Sequence, residues 1–189
     1  EKAYGGSGDD VLTGNSADNY LDGGSGDDSL DGGDGIDTLI GGDGDDVFVL
    51  SYPMTDIVTE LAGEGTDTLQ AAFAIDLSNY QNVENATLMG TFEISVYGNG
   101  EGNILTGNDA ANTLEGKDGD DTLIGGGGID SLIGGMGDDT FVLNADDDNI
   151  TDDEGSDTIV STVTRSLVGY ASIENLRLNG TLNINATGN

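Results

Sequence analysis

A nine-residue repeat constrains this chain more than any other feature of its sequence. Residues 5–49 divide without gaps into five nonapeptides, and residues 98–142 divide in the same way, 93 residues further on. The first array reads GGSGDDVLT, GNSADNYLD, GGSGDDSLD, GGDGIDTLI and GGDGDDVFV, and the second reads GNGEGNILT, GNDAANTLE, GKDGDDTLI, GGGGIDSLI and GGMGDDTFV. A short fixed period of this kind is typical of solenoids, in which each repeat is stable only against its neighbours.

Three positions of the nonapeptide stay in phase over all ten units. Position one is always Gly, position six is Asp or Asn, and position eight is Leu or Phe. A flexible Gly/Asp linker would explain the composition but not this phasing. Glycines at positions one, two and four permit positive φ, so each unit predicts a tight turn and a three-residue strand with one inward side chain. Two units per turn predict an all-β parallel solenoid with two facing sheets and an apolar ladder at position eight.

The charge of the chain excludes several classes of partner. Thirty-seven acidic residues stand against four basic ones, which leaves a formal net charge of −33 at pH 7. This field repels nucleic acids and anionic lipid surfaces and attracts cations. The sequence contains no run of 18 apolar residues that would predict membrane insertion. It also contains no cysteine, which excludes disulfides and thiolate metal sites.

The acidic residues are expected to line up in the coil. Units 18 residues apart lie one above the other, so Asp28 is predicted to stack between Asp10 and Asp46. A divalent cation between adjacent turns would relieve the repulsion. Ca²⁺ fits best because it takes about six to eight oxygen ligands in tolerant geometry, whereas Mg²⁺ needs a tight octahedron. Zinc would require histidine or cysteine, and this chain has neither.

The unit GGxGxDxUx resembles the nonapeptide of the repeats-in-toxin (RTX) family. The resemblance implies a right-handed parallel β-roll, or β-helix solenoid, that binds several Ca²⁺ ions in its turns. It also implies export by a type I secretion system and folding on extracellular calcium. The carboxylate ligands that it implies fall on Asp10, Asp28, Asp37, Asp46, Asp121, Asp130 and Asp139.

The same resemblance implies that backbone carbonyls of the turn glycines complete the sites. These glycines are Gly6, Gly8, Gly24, Gly26, Gly33, Gly35, Gly42, Gly44, Gly119, Gly126, Gly128, Gly135 and Gly137. Asn19, Asn103 and Asn112 replace Asp at position six, and their units also lose glycines. We therefore expect the sites that use these three residues to bind calcium weakly or to hold only water.

The repeat frame continues beyond each array. In the second array, Asp148 and Asp157 fall at position six of two further units. In the first array, Asp67 falls at position six of AGEGTDTLQ, after a segment three residues longer. Asp46 with Asp67, and Asp139 with Asp157, are therefore candidate calcium pairs, although plain surface turns are an alternative for these units.

The segments that follow these units carry alternating apolar residues but no repeat glycines. The starts of successive arrays, at Gly98 and Gly188, are 90 residues apart, which is a multiple of nine. This spacing predicts that the solenoid continues through residues 71–97 and 161–187 as calcium-free coils. Hairpins at Met89-Gly90 and Asn179-Gly180 are the alternative. Glu84 and Glu174 are interpreted as turn or ladder residues.

These observations predict two RTX modules, residues 1–97 and residues 98–189. The function they favour is a non-enzymatic, calcium-folded structural spacer of a secreted or cell-surface protein. We expect the isolated chain to be monomeric and to meet secretion machinery only through its parent protein. The alternatives are an adhesive module that binds a glycan or surface directly, and an accessory folding or secretion domain of an exported enzyme or toxin. The absence of histidine excludes a Ser-His triad and an HExxH zinc site.

Overall fold

The computed structural model describes residues 1–52, 55–144, 146–180 and 186–188. It divides the chain into two compact units, Glu1–Met89 and Gly90–Asn189. Each unit is a stack of parallel β-strands. None of the described residues forms a helix that is long and apolar enough to cross a membrane.

The first unit contains two parallel sheets whose strands alternate along the chain. The strands of one sheet are β1 (Lys2–Ser7), β3 (Tyr20–Ser25), β5 (Thr38–Asp43) and β7 (Ile57–Thr59). The strands of the other are β2 (Val11–Thr13), β4 (Ser29–Asp31), β6 (Val47–Leu50), β8 (Thr68–Ala71) and β10 (Asn85–Leu88). The short strand β9 (Ile75–Asp76) and the 3₁₀ turn η1 (Leu77–Asn79) lie between β8 and β10.

The second unit repeats this arrangement. One set of strands is β11 (Ser95–Tyr97), β13 (Thr113–Asp118), β15 (Ser131–Met136) and β17 (Asn149–Thr151). The other set is β12 (Ile104–Thr106), β14 (Thr122–Ile124), β16 (Thr140–Leu143), β18 (Thr158–Ser161) and β20 (Asn175–Leu178). Two final short strands, β19 (Arg165–Ser166) and β21 (Ala186–Thr187), pair with each other in parallel.

The register inside both arrays is 18 residues, as the repeat predicts. Leu12 pairs with Leu30, and Leu30 pairs with Phe48. On the opposite sheet, Leu21 pairs with Leu39. Two nonapeptides therefore make one turn, and the predicted parallel β-solenoid is confirmed. The strands on one side of each unit are longer than predicted, because β1, β3, β5, β13 and β15 each contain six residues and run on into the next glycine turn.

The apolar ladder at position eight forms the core. Nine of its ten side chains are buried: Leu21, Leu30, Leu39, Phe48, Leu105, Leu114, Leu123, Leu132 and Phe141. Leu12 is only half-buried, because it belongs to β2, the first strand of its sheet. Removing nine such side chains from water is the main apolar contribution to folding in the arrays.

The solenoid continues beyond each array, as the multiple of nine predicts. Strand β10 pairs in parallel with β8, and β20 pairs in parallel with β18. Val83, Ala86, Leu167 and Ile173 extend the core through these coils. Residues 181–185, which would form the far side of a hairpin at Asn179-Gly180, lie outside the described residues.

Candidate calcium sites

The position-six carboxylates form regular rows along the side of each unit. The backbone N–H of Asp10 donates to Oδ1 of Asp28 at 2.7 Å, and the N–H of Asp28 donates to Oδ1 of Asp46 at 2.7 Å. In the second unit, Asp121 donates to Asp139 at 2.8 Å, and Asp139 donates to Asp157 at 2.8 Å. Each carboxylate is therefore held by the preceding turn, and the predicted 18-residue stacking is confirmed.

Only one oxygen of each carboxylate is used in this row. The second oxygen, Oδ2, is buried and has no hydrogen-bond partner among the described residues in seven aspartates: Asp28, Asp37, Asp46, Asp121, Asp130, Asp139 and Asp157. All seven residues are at most 1% exposed. A buried carboxylate oxygen without a donor opposes folding strongly. Seven such atoms in regular rows are the donor set that a hard cation requires.

The two other predicted carboxylate ligands differ from these seven. Asp67 is buried, and its Oδ1 accepts from the N–H of Asp46 at 2.8 Å. Asp10 is half-buried and lies in the first turn of the stack. It has a partner on one side only, namely Asp28.

The physical reason for glycine at position one differs from the predicted one. None of the ten position-one glycines has a positive φ. Position one is instead crowded: a Cβ on Gly23 would meet the Asp28 carboxylate and would lie 2.8 Å from the carbonyl oxygen of Gly41. The expectation of positive φ at position one was therefore wrong, and close approach of the next turn and of the position-six side chain is the reason.

Within the two arrays, positive φ occurs at positions two and four of the turns. All the glycines predicted as carbonyl ligands adopt it, with φ between 86° at Gly33 and 136° at Gly44. Lys117, which stands at position two of its unit, adopts a φ of 87° although it has a side chain. The glycine-rich turn thus keeps its conformation at Lys117, whereas Asn15, Asn99 and Asn108 at position two of the asparagine units do not adopt positive φ.

The family model for the RTX calcium-binding nonapeptide repeat matches the chain in four copies. The copies cover residues 4–39, 22–50, 97–132 and 133–162, which together make up more than half of the sequence. The chain belongs to the RTX family. Calcium is therefore the cation that these repeats bind, and the unpartnered Oδ2 atoms are the chain's own evidence that its residues fit the ion. No curated protein matches the chain significantly.

When bound, calcium would supply positive charge between adjacent turns of the RTX repeat. The residues that would hold it are the position-six aspartates and the positive-φ turns beside them. In the folded chain, the Oδ1 hydrogen bonds fix the orientation of each carboxylate. Ligation by individual residues stays a prediction.

In the asparagine units of this RTX chain, both polar atoms of the position-six side chain form hydrogen bonds. Oδ1 of Asn103 accepts from the N–H of Asn99 at 2.8 Å, and Nδ2 of Asn103 donates to Oδ1 of Asn99 at 3.1 Å. Asn112 accepts from the N–H of Asn108 at 2.8 Å and donates to the carbonyl of Ile94 at 3.2 Å. The amide therefore uses both of its polar atoms in hydrogen bonds, and weak calcium binding by these units stays a prediction.

Three further acidic residues, Asp56, Glu60 and Asp152, contact the rows although the repeat did not predict them. Asp56 accepts from the N–H of Asp37 at 3.0 Å and so continues its row. Glu60 accepts from the N–H of Gly41 at 2.7 Å, and Asp152 from the N–H of Gly135 at 3.4 Å. Asp152 stands at position one of its frame, where the repeat has Gly, and this departure could have identified it. The three-residue insertion after the first array moves Glu60 out of the nine-residue frame, so the repeat did not predict its position. One of the extra residues precedes Asp56 and two follow Glu60.

Glu84 and Glu174 extend the rows as ladder residues, as predicted. Oε2 of Glu84 accepts from the N–H of Asp67 at 2.9 Å, and Oε2 of Glu174 accepts from the N–H of Asp157 at 3.0 Å. A second, exposed ladder runs at position five in the opposite direction. There the N–H of Asp27 donates to the earlier Asp9 at 3.0 Å, and that of Asp45 to Asp27 at 2.9 Å.

Burial raises the pKa of several of these carboxyl groups in the metal-free fold. Desolvation raises the pKa of Asp46 and Asp121 to about 7, and that of Asp67 and Asp130 to about 6. It raises the pKa of Glu60 further, to about 8, with added repulsion from Asp67. Calcium must therefore compete with protons for these oxygens.

Proposed function

We propose that this chain is a calcium-folded structural spacer of a secreted or cell-surface RTX protein. The observation that carries the proposal is the set of seven buried, unpartnered Oδ2 atoms in regular rows. A row of this kind opposes folding until a cation neutralises it. Calcium would then supply part of the folding free energy, so binding and folding would be one transition.

The balance of forces without calcium supports the same proposal. The ladder contributes one large apolar side chain per nine residues, whereas ordering each residue costs about 1 to 2 kcal/mol of backbone entropy. The net charge of −33 adds repulsion between turns. The metal-free chain is therefore expected to be largely disordered, which would keep it extended until it meets extracellular calcium.

The spacer role predicts that this segment has no catalytic activity of its own and presents another part of its parent protein. Secretion by a type I system and a monomeric isolated chain belong to the same proposal. Analytical ultracentrifugation at saturating calcium checks the monomer. Specific binding to a glycan array by the isolated chain would favour the adhesive alternative over the spacer.

Circular dichroism during a calcium titration tests the proposal. We expect β structure to appear with a midpoint near ~0.1 to 1 mM calcium, the range of extracellular modules. Magnesium at the same concentration, and sodium chloride at the same ionic strength, are the controls and should leave the chain largely disordered. Full β structure in excess chelator would contradict the proposal.

A further inference from the structure

We propose that each array ends in a distinct cation site of three carboxylates, which binds calcium more tightly than the sites of the preceding turns. The closing sites are Asp46–Glu60–Asp67 in the first unit and Asp139–Asp152–Asp157 in the second. This inference rests on the calcium-dependent function proposed above and adds an order of affinity to it.

The three carboxylates of each closing site converge. In both groups, one carboxylate oxygen of each residue lies within 4.8 Å of the corresponding oxygens of the other two. Asp46, Glu60 and Asp67 are all at most 5% exposed. Within the described part of the chain, Oδ2 of Asp46 and Oε2 of Glu60 are buried without a hydrogen-bond partner. The same holds for the Oδ2 atoms of Asp139, Asp152 and Asp157. Each closing site therefore contains several buried acceptors that no protein donor fills.

The third carboxylate takes the place of a backbone carbonyl. In the middle of the first array, the space beside Gly23 is bounded by the Asp28 carboxylate and by the carbonyl oxygen of Gly41, 2.8 Å from an ideal Cβ. Beside Gly41, the equivalent space is bounded by the Asp46 carboxylate and by Oε1 of Glu60. A charged oxygen thus stands where the next turn of the array would place a neutral one.

The second unit makes the same substitution with different residues. The space beside Gly116 is bounded by the Asp121 carboxylate and the carbonyl oxygen of Gly134, again 2.8 Å from an ideal Cβ. Beside Gly134, the Asp139 carboxylate and Oδ1 of Asp152 take these places. The two units reach the same arrangement with Glu in one and Asp in the other, and with different loop lengths. This agreement argues that the third carboxylate is a ligand and not an incidental surface acid.

The added charge determines the affinity. Ligand charge count is one of the main properties that tune calcium affinity across oxygen-ligand sites. A third carboxylate increases the attraction for the ion, and it also increases the cost of leaving the site empty. Trivalent lanthanum, which is a hard oxygen-binding cation with one more charge, is therefore expected to favour the closing sites over the others.

Isothermal titration calorimetry with calcium on the full chain tests the inference. The test variant carries Glu60→Gln and Asp152→Asn, which keep an amide oxygen for the backbone N–H groups of Gly41 and Gly135. The control variant carries Asp43→Asn and Asp153→Asn, which remove the same charge from exposed acids in the same two regions. Circular dichroism at saturating calcium verifies that both variants fold.

We expect the test variant to lose a tight class of two ions, with those ions weakened on the order of tenfold or more. The control variant should keep this class. A test variant that titrates like the unchanged chain, or a control that loses the same class, overturns the inference while the proposed function stands. An unchanged chain that binds no calcium overturns the proposed function itself.

A second measurement needs no variant and so does not depend on altered folding. Lanthanum is titrated into the calcium-loaded, unchanged chain, and the released calcium is counted with a chromophoric chelator. Preferential displacement of two ions supports the closing sites. Displacement of all ions with one affinity overturns them.

Discussion

The aspartate and asparagine units of this chain share one register but differ in their turns and at position six. The turn glycines of the aspartate units adopt positive φ, whereas Asn15, Asn99 and Asn108 at position two of the asparagine units do not. In an aspartate unit such as residues 23–31, Oδ1 of Asp28 accepts from the preceding turn and Oδ2 is left buried without a donor. In an asparagine unit such as residues 98–106, Asn103 bonds to the backbone and the side chain of Asn99 within its own unit. The side chain at position six and the conformation of the turn thus change together between the two kinds of unit.

In the unit that follows the second array, an arginine side chain binds the turn. Nη2 of Arg165 donates to the carbonyl oxygens of Asn144 at 2.6 Å and of Asp146 at 2.7 Å. These residues stand at positions two and four of their unit, whose position-six residue is Asp148. The guanidinium therefore contacts carbonyls at the positions that elsewhere belong to the predicted calcium ligands. The first unit has Ile75 at the corresponding place, where it is buried in the core.

Acid should have the largest effect on the stability of the metal-free fold, because it acts on several aspartate units together and on none of the asparagine amides. Burial raises the pKa of Asp121 to about 7 and of Glu60 to about 8, so the metal-free fold binds more protons than the unfolded chain. Its free energy of unfolding should therefore rise as the pH falls from about 8 towards 4.

Circular dichroism in excess chelator at several pH values measures this gain of β structure. The calcium midpoint should move in the opposite sense and rise at lower pH, because the ion requires the charged carboxylates. A metal-free chain that loses β structure on acidification from pH 8 would contradict the assignment of these raised pKa values.

The next largest effect on stability is expected from glycine substitutions at a crowded position-one glycine, Gly134, and at an open position-three glycine, Gly100. Gly134→Ala would place a Cβ against the carboxylates of Asp139 and Asp152 and should lower the free energy of unfolding by about 3 kcal/mol. Gly100→Ala in an asparagine unit meets no atom within 4 Å and should change it by less than about 0.5 kcal/mol. Urea unfolding at saturating calcium compares the two, and equal losses would show that crowding at position one is not the cause.

Removing the guanidinium of Arg165 should lower the free energy of unfolding by a smaller amount. Arg165→Gln loses the hydrogen bonds to Asn144 and Asp146 and should lower the free energy of unfolding by about 2 kcal/mol at saturating calcium. The ion pair of Arg165 with Asp147, 3.8 Å long, adds little because Asp147 is exposed. Arg177→Gln is the matched control, since Arg177 is exposed and contacts Asn179. If both variants unfold at the same urea concentration, the guanidinium does not replace a cation.

The smallest effect is expected on the calcium midpoint when a position-six residue, Asp28 or Asn19, is itself replaced. Asp28→Ala removes a carboxylate shared by two turns and should raise the calcium midpoint about twofold to threefold, because a loss of roughly 2 kcal/mol is divided among several ions. Asn19→Ala removes hydrogen bonds within its own unit, to Asn15 and Ala17, and should raise the midpoint less. The number of ions bound should fall only for Asp28→Ala. Identical calcium titrations of the two variants would remove the distinction between the unit types.

The sequence was sufficient to predict the structural features that recur with the nine-residue period. The 18-residue register, the buried Leu and Phe residues at position eight and the stacking of Asp28 between Asp10 and Asp46 all follow from that period. These contacts join equivalent positions of successive turns, so one unit predicts the next.

The rest of the candidate site depends on contacts between inequivalent positions. Glu60 reaches Gly41 only because the array stops there, and Arg165 reaches its loop from a coil without repeat glycines. The role of glycine at position one was also misread, since crowding by Asp28 and Gly41 cannot be seen in a single nonapeptide. Such contacts require the three-dimensional path of the chain.

The 18-residue register limits how such an array can change in length. Inserting 18 residues adds one full turn and leaves every later residue in its own row, whereas inserting nine moves each later unit to the opposite sheet. A nine-residue deletion before Asp46 would therefore move it out of the row of Asp28 and into that of Asp37. Duplicating an even number of units between Asp28 and Asp46 should keep both residues in one row, whereas an odd number should move Asp46, with Glu60 and Asp67, to the opposite row.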